Sequence, residues 1–260
     1  MPERGNTAMI IPGLVSVTFR DKTADWIIEQ CRIAELKAVE WSENAHVFAD
    51  DEAGAASLSE RTRDAGLAVA AYGSYYRLGE QEQPQEIFMK SLRSAAALQA
   101  PVIRIWAGTR PSADVDEAEF NRLAEEAAMV SGLAQEYGIK VALEWHRNTL
   151  TDTNETALKL LKEAGHPNLY SLWQPTVALS MQERLDGLSL LGDRLLNLHI
   201  YYWPDGVKRP LREGIAEWEQ YLGRIDQTAV RYGLMEFVMD GTKEQFQADA
   251  VTLHRMLDRT

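Results

Sequence analysis

The sequence predicts an α/β protein with one domain over residues 1–260, folded as a closed (β/α)8 TIM barrel. Eight strand-like runs alternate with eight helical patterns at intervals of roughly 25 to 40 residues, as is typical of βα units in a parallel sheet. Four glycines, Gly66, Gly138, Gly165 and Gly233, stand between a helical pattern and the next strand, where we expect them to end helices. An open doubly wound sheet is the alternative, but no G-x-G-x-x-G follows the first strand.

The strands are predicted from short apolar runs rich in β-branched and aromatic residues. The first is the run Leu-Val-Ser-Val-Thr-Phe at 14–19, and the fifth is the buried run that follows Gly138. In chain order the predicted strands are 14–19, 38–41, 67–72, 102–106, 139–143, 169–173, 195–201 and 234–239.

The helices are predicted from apolar residues at helical spacing and from their end signals. The first has Asp21 or Thr23 as its N-cap and places Cys31 on its apolar stripe, and the third begins at Pro84. In chain order the predicted helices are 24–35, 53–65, 84–98, 116–137, 154–164, 181–190, 215–232 and 243–257.

Composition limits the classes of partner. The formal net charge of −12 makes nucleic acid and anionic membranes poor partners. A single cysteine rules out an internal disulfide framework and fits a reducing compartment. Residues 1–8 contain no apolar signal core, and no apolar run is long enough to span a bilayer. We therefore expect a cytoplasmic protein that binds a small molecule.

The fifth strand carries the first indication of chemistry. Alternation along the strand places Glu144 and His146 on one face, and Leu143 and Trp145 on the other. A carboxylate and an imidazole at the exit of an apolar strand need a partner, and a cation is the natural one.

Polar residues also occur at the exits of the next three strands. Active sites of such barrels form at the C-terminal ends of the strands, so these side chains should meet. Each alone is also compatible with a salt bridge or a buried hydrogen bond. Together they form an oxygen and nitrogen set suited to Mn²⁺, Mg²⁺, Co²⁺ or Zn²⁺, without the sulfur of a structural zinc site. The candidate metal ligands are Glu144, Gln174, His199 and Glu236.

Aromatic and basic residues at the strand exits indicate a carbohydrate-like pocket. Flat rings pack against the C–H faces of sugars, while arginines bind hydroxyl or anionic groups. Trp145 and Trp173 should instead pack outside the barrel, because their neighbours Glu144 and Gln174 point inward. The candidate substrate contacts are His46, Tyr72, Arg104, Trp106, His146 and Arg209.

With these residues in place, the chain resembles the sugar phosphate isomerase/epimerase superfamily with a xylose isomerase-like TIM barrel. The resemblance extends over residues 14–257, and a loop at 209–214 followed by Trp218 also matches. It depends on the order and spacing of Val39-Glu40-Trp41 with His46, Leu143-Glu144-Trp145-His146, Leu198-His199-Ile200 and Met235-Glu236-Phe237.

This resemblance implies one divalent metal ion, Mn²⁺ in the first place, held by Glu144, His199, Glu236 and a residue of the sixth strand. That last position is normally Asp, with a His three residues later. Gln174 and Val177 stand there in this chain. A neutral amide removes one negative charge from the expected site, so the resemblance also implies weaker metal binding or another metal preference.

The implied activity is isomerisation or epimerisation of an unphosphorylated sugar or keto-sugar. The metal would acidify a C–H next to a carbonyl, and Glu144 and Glu236 would remove and return the proton through an enediolate. No glycine-rich phosphate cradle is present. The protein is expected to act alone or as a homo-oligomer, a dimer or a tetramer.

Three alternatives remain. The first is a lyase that dehydrates an inosose or cleaves a 3-keto-glycoside, with His146 or His46 as the acid. The second is an endonuclease for abasic DNA, which the net charge and the shortage of ligating His and Asp residues disfavour. The third is a non-catalytic sugar-binding or partner subunit, which only Gln174 suggests.

Overall fold

In a computed structural model, which describes residues 10–226 and 229–258, eight parallel strands close into a barrel in sequence order. This confirms the predicted fold. The strands are β1 (Ile10–Val15), β2 (Ala38–Ser42), β3 (Ala68–Arg77), β4 (Val102–Trp106), β5 (Lys140–Glu144), β6 (Leu169–Trp173), β7 (Leu195–Ile200) and β8 (Arg231–Met235). The helices are α1 (Ala24–Ile33), α2 (Glu52–Asp64), α3 (Pro84–Ala97), α4 (Glu117–Glu136), α5 (Asn154–Ala164), α6 (Met181–Leu191), α7 (Ile215–Leu222) and α8 (Lys243–Leu257).

The barrel closes where β1 lies between β2 and β8. Gly13 of β1 is opposite Ala38 on one side and Leu234 on the other. A Cβ atom at Gly13 would lie 2.6 Å from both the Ala38 carbonyl oxygen and the Leu234 Cδ2. Only glycine therefore allows the three strands to approach this closely.

The first strand ends earlier than predicted. Residues 16–19, expected to be strand, form a 3₁₀ helix at Ser16–Phe19. Ser16 Oγ accepts a hydrogen bond from the Ser42 N–H, and the Val17 N–H donates to Ser42 Oγ. These hydroxyl contacts take the place of backbone pairing between β1 and β2 beyond Val15 and Glu40.

The prediction for the last βα unit was wrong at its junction. Helix α7 ends at Leu222 rather than at residue 232, and Gly233 lies inside β8 instead of ending a helix. A Cβ at Gly233 would lie 2.8 Å from Ile200 Cδ1 and 3.0 Å from Ile10 Cγ2. The glycine is needed for close packing between neighbouring strands, whereas Gly165, at φ 60°, ends α5 as predicted.

The helices cover the outside of the barrel, and the outward-facing tryptophans pack beneath them as predicted. Trp173 meets Trp218 and Tyr221 of α7 edge to face, with ring centroids 6.2 and 5.1 Å apart. Cys31 is fully buried in α1, and burial raises the pKa of its thiol. In the described part of the chain, none of the helices is long and apolar enough to cross a membrane.

Candidate metal centre and active-site cavity

Six charged or amide side chains converge at the C-terminal end of the barrel. They come from β2, β4, β5 and β7, and from the residues that directly follow β6 and β8. Because all eight strands are parallel, these positions lie at the same end. The six residues are Glu40, Arg104, Glu144, Gln174, His199 and Glu236, and all are buried.

Three of them form a compact set of potential metal ligands. Glu144, His199 and Glu236 each offer one ligand atom, and these atoms lie within 4.8 Å of one another. His199 Nδ1 is 3.5 Å from Glu144 Oε1 and 3.4 Å from Glu236 Oε2. The structure thus places three of the four predicted ligands in one potential metal-binding set, and the fourth, Gln174, lies beside Glu144.

The hydrogen bonding of His199 fits a metal ligand. Its Nε2 lies 3.2 Å from Glu40 Oε2, a contact in which the imidazole N–H donates to the carboxylate. In the neutral ring Nδ1 then carries the lone pair, and within the described residues it has no hydrogen-bond partner. A buried nitrogen without a hydrogen bond, facing two carboxylate oxygens, is the arrangement that a divalent cation satisfies. The residues present therefore fit a divalent ion.

The electrostatics of the cluster also favour a cation. Burial alone would lower the pKa of His199, but Glu236 and Glu40 outweigh it and hold this pKa well above its usual value. Burial would raise the pKa of Glu144, yet Arg104 and His199 together lower it to about 2. Glu144 is therefore a carboxylate at neutral pH, and the space between the three side chains attracts positive charge.

Glu40 is a site residue to which the sequence analysis assigned no role. It is fully buried in β2, where Oε2 accepts from His199 and Oε1 lies 3.4 Å from Arg104 Nε. Arg104 Nε is also 3.2 Å from Glu144 Oε2, and Nη1 donates to the Ser74 carbonyl. The available signal was a glutamate within an apolar strand and an arginine within another, two strands away.

Replacement of Glu40 by glutamine is expected to weaken metal binding by about 10- to 100-fold, the usual effect of losing a carboxylate that supports a ligating histidine. Glutamine retains an acceptor for the imidazole N–H but loses the charge that makes Nδ1 a better ligand. Metal titration with a competing chelator measures the change. Glu43→Gln is a matched control, because that buried carboxylate accepts from Tyr72 and Ser91 instead. Equal affinity in Glu40→Gln and the unmodified protein would contradict the role.

Gln174 is held in one orientation by its neighbours. Its Nε2 donates to the Trp145 carbonyl at 2.7 Å and to Glu144 Oε1 at 3.1 Å. Both partners are acceptors, so the amide nitrogen must face them and Oε1 faces away. The local structure therefore needs a donor at this position, where an aspartate would place a carboxylate against two oxygens.

Gln174→Glu tests this arrangement against the expectation from the resemblance. A carboxylate added to those of Glu40, Glu144 and Glu236 would strengthen metal binding if charge alone mattered. We instead expect the free energy of unfolding of the variant to be lower by about 1–3 kcal/mol, because the Trp145 carbonyl and Glu144 lose their donor. Its metal affinity should not increase. Chemical denaturation and metal titration measure the two quantities. Tighter metal binding with an unchanged free energy of unfolding would contradict this expectation.

A cavity of about 270 Å³ opens above the metal-ligand set. Of the predicted substrate contacts, Arg104, Trp106 and His146 line it, together with Glu144, Gln174 and Glu236. Tyr75, Tyr201 and Trp203 supply aromatic walls. Arg20, Arg147 and Thr176 also line the cavity, and they lie in loops that periodic patterns in the sequence do not mark.

His146 is oriented by its own loop. Its Nδ1 lies 2.7 Å from the Arg147 carbonyl, so Nδ1 carries the hydrogen and Nε2 carries the lone pair in the neutral ring. The His146 N–H donates to Thr151 Oγ1, which in turn donates to the Glu144 carbonyl. One buried threonine thus ties the backbone of His146 to that of Glu144.

Three predicted substrate contacts do not line this cavity. Tyr72 is fully buried and donates to Glu43. Both ring nitrogens of His46 are engaged, by Ser16 Oγ and by the Lys22 carbonyl, and burial lowers the pKa of this ring. Arg209 is exposed. Tyr72 and His46 therefore hydrogen-bond neighbouring strands and loops to one another, outside the cavity.

Comparison with known proteins agrees with this architecture. The family described as xylose isomerase-like TIM barrel matches residues 28–246. A local match of 67 residues is 42% identical to the 3-dehydroshikimate dehydratase of Bacillus anthracis, and it spans 26% of this chain and 24% of that protein.

Solved structures show the same fold. The probable 3-DHS dehydratase of Bacillus anthracis superposes with a TM-score of 0.80 at 19% identity, over 95% of this chain and 99% of that one. An L-ribulose 3-epimerase superposes with a TM-score of 0.73 at 16% identity, over 97% and 95% of the two chains. Both a dehydratase and an epimerase therefore share this barrel.

Proposed function

Because this chain belongs to the family of xylose isomerase-like TIM barrels, we propose that it is a divalent-metal-dependent dehydratase. It would remove a proton from the carbon next to a carbonyl group and expel a hydroxyl group from the following carbon as water. The observation that carries the proposal is that His146 lines the same cavity as Glu144 and Glu236, two members of the buried metal-ligand set.

Glu144, His199 and Glu236 would hold the ion, and Glu40 would fix the ring of His199. A bound divalent ion polarises a carbonyl group and acidifies the neighbouring C–H. An oxygen-rich set with one imidazole suits Mn²⁺, which remains our preferred ion. Metal analysis of purified protein tests that choice.

His146 would act as the base. Its Nδ1–H is bound to the Arg147 carbonyl, so Nε2 is the nitrogen left to accept a proton. The C–H electron pair then forms the new carbon–carbon double bond, and the C–O bond on the next carbon breaks. The proton on His146 can pass to the departing hydroxide, which leaves as water and returns the imidazole to its neutral form.

The contacts of Glu144 favour this role for His146. Gln174 donates to Oε1, and Arg104 Nε lies 3.2 Å from Oε2 as an ion pair without a hydrogen bond. The pKa of about 2 also makes Glu144 a weak base. Its arrangement suits a metal ligand better than a group that repeatedly takes up a proton. The local match to a dehydratase adds support.

The second candidate is the activity that the resemblance implied, epimerisation or isomerisation of an unphosphorylated sugar with Glu144 and Glu236 as bases. One observation favours it. An oxygen of each carboxylate faces the same nitrogen, His199 Nδ1, at 3.5 and 3.4 Å, and both side chains line the cavity. Two carboxylates around one substrate carbon are what a two-base epimerase needs.

Incubation in D₂O separates the two activities. The metal-loaded protein is given 3-dehydroshikimate, an inosose, L-ribulose or D-allulose in turn, and products are followed by mass spectrometry and NMR. Dehydration yields a product lighter by one water, whereas epimerisation yields an isomer that carries solvent deuterium. Chelator-treated protein, before and after metal is restored, is the control. Deuterium uptake into a sugar without loss of water would overturn the dehydratase proposal in favour of the epimerase.

A further inference from the structure

The charges of the cavity are divided between its floor and its mouth. The acidic residues that line it are Glu144 and Glu236, both in the metal-ligand set, and the buried Arg104 beside them is paired with Glu144. Arg20 and Arg147 line the same cavity and are exposed. The chain has 39 acidic and 27 basic residues, so the positive charge of two arginines at the cavity mouth is opposite in sign to the net charge of the protein.

Neither guanidinium group is neutralised within residues 10–226 and 229–258. No ion pair or side-chain hydrogen bond joins Arg20 or Arg147 to a residue in those ranges. Other arginines near the strand exits do have acidic partners: Arg77 lies beside Glu80, and Arg110 pairs with Glu119. The two arginines at the cavity therefore present uncompensated positive charge where a ligand would enter.

Both arginines adjoin backbone segments that are held by hydrogen bonds. Arg20 directly follows the 3₁₀ helix, where Thr18 Oγ1 accepts a hydrogen bond from the Phe237 N–H of another loop. Arg147 follows His146, and its carbonyl binds the His146 ring. A contact between Arg147 and a ligand would thus be coupled to the position of the base.

We infer that Arg20 and Arg147 bind an anionic group of the substrate, a carboxylate or a phosphate, while its hydroxyl and carbonyl oxygens face Glu144 and Glu236. Guanidinium groups match these anions with paired N–H donors. Positive charge at the mouth also attracts an anionic ligand that the net negative charge of the protein would otherwise repel. The inference rests on the proposed function only in assuming that the oxygens face the metal-ligand set.

A pair of probes isolates the anionic group. Catechol and 3,4-dihydroxybenzoate carry the same neighbouring hydroxyl groups and differ by one carboxylate. Their binding to the Mn²⁺-loaded protein is measured by calorimetry. We expect the dihydroxybenzoate to bind at least about tenfold more tightly, the effect of one charged hydrogen-bonded pair. In the double variant Arg20→Gln/Arg147→Gln, both probes should bind equally, with catechol affinity and metal content unchanged.

Arg209→Gln is the matched control, because Arg209 is exposed on a neighbouring loop but does not line the cavity. It should retain the preference for the carboxylate. Competition by benzoate and by inorganic phosphate at equal concentrations identifies which anion the site prefers, and displacement by either supports the inference. Equal binding of the two probes to the unmodified protein, or a preference that survives in the double variant, overturns it.

Failure of the dehydratase proposal would give a different result. The carboxylate preference and its loss in the double variant would remain, but the D₂O assay would yield deuterated isomers or no product.

Discussion

Glu236→Gln is expected to lower turnover of the true substrate by at least about 1,000-fold while the barrel stays folded. Glu236 directly follows β8, and its Oε2 lies 3.4 Å from His199 Nδ1. Glutamine has nearly the same shape but removes one of the two charges that would neutralise the ion. Steady-state kinetics with excess metal and far-ultraviolet circular dichroism measure activity and folding.

Glu144→Gln should reduce turnover to a similar extent, and it adds a second effect. Arg104 would be left with Glu40 as its remaining carboxylate partner at the site, and Gln174 would face an amide in place of a carboxylate. This variant should therefore be less stable than Glu236→Gln. Glu244→Gln, on the exposed first turn of α8, is the control for losing a negative charge. Near-normal activity in Glu236→Gln or Glu144→Gln would show that these carboxylates do not support the reaction.

His146→Asn is expected to lower the maximal rate by about 100- to 10,000-fold, the usual contribution of a general base. Asparagine can still donate to the Arg147 carbonyl, as Nδ1 does, so the loop should keep its position. The amide has no basic nitrogen, and the proton on the substrate carbon then lacks an acceptor. Metal content should be unchanged, because His146 is outside the ligand set.

Added imidazole distinguishes a lost base from a disturbed loop. If His146 accepts the proton, free imidazole should restore part of the rate of His146→Asn in a concentration-dependent way. A loop displaced by the substitution would not respond. His166→Asn, which removes an imidazole before β6, is the control. A loss of only a few-fold in His146→Asn would favour the two-carboxylate epimerase over the dehydratase.

Much of the barrel could be predicted from local patterns. Strands β4 and β6 and helices α5 and α8 have the predicted bounds, because glycine, proline or a capping threonine marks their ends. The prediction failed at Ser16 and Gly233. There the decisive partners are Ser42, Ile200 and Ile10, which are distant in sequence.

The sequence by itself determined the barrel and the position of three candidate metal ligands. Strand alternation and the common end of parallel strands suffice to bring Glu144, His199 and Glu236 together, since each direction follows from its own strand. Only the tertiary structure decided what surrounds them. Glu40 and His199 are 159 residues apart in the chain, and the orientation of Gln174 depends on the Trp145 carbonyl in the neighbouring strand's exit. Hydrogen bonds of this kind form between elements that local patterns treat separately, so they become visible only once the barrel has closed.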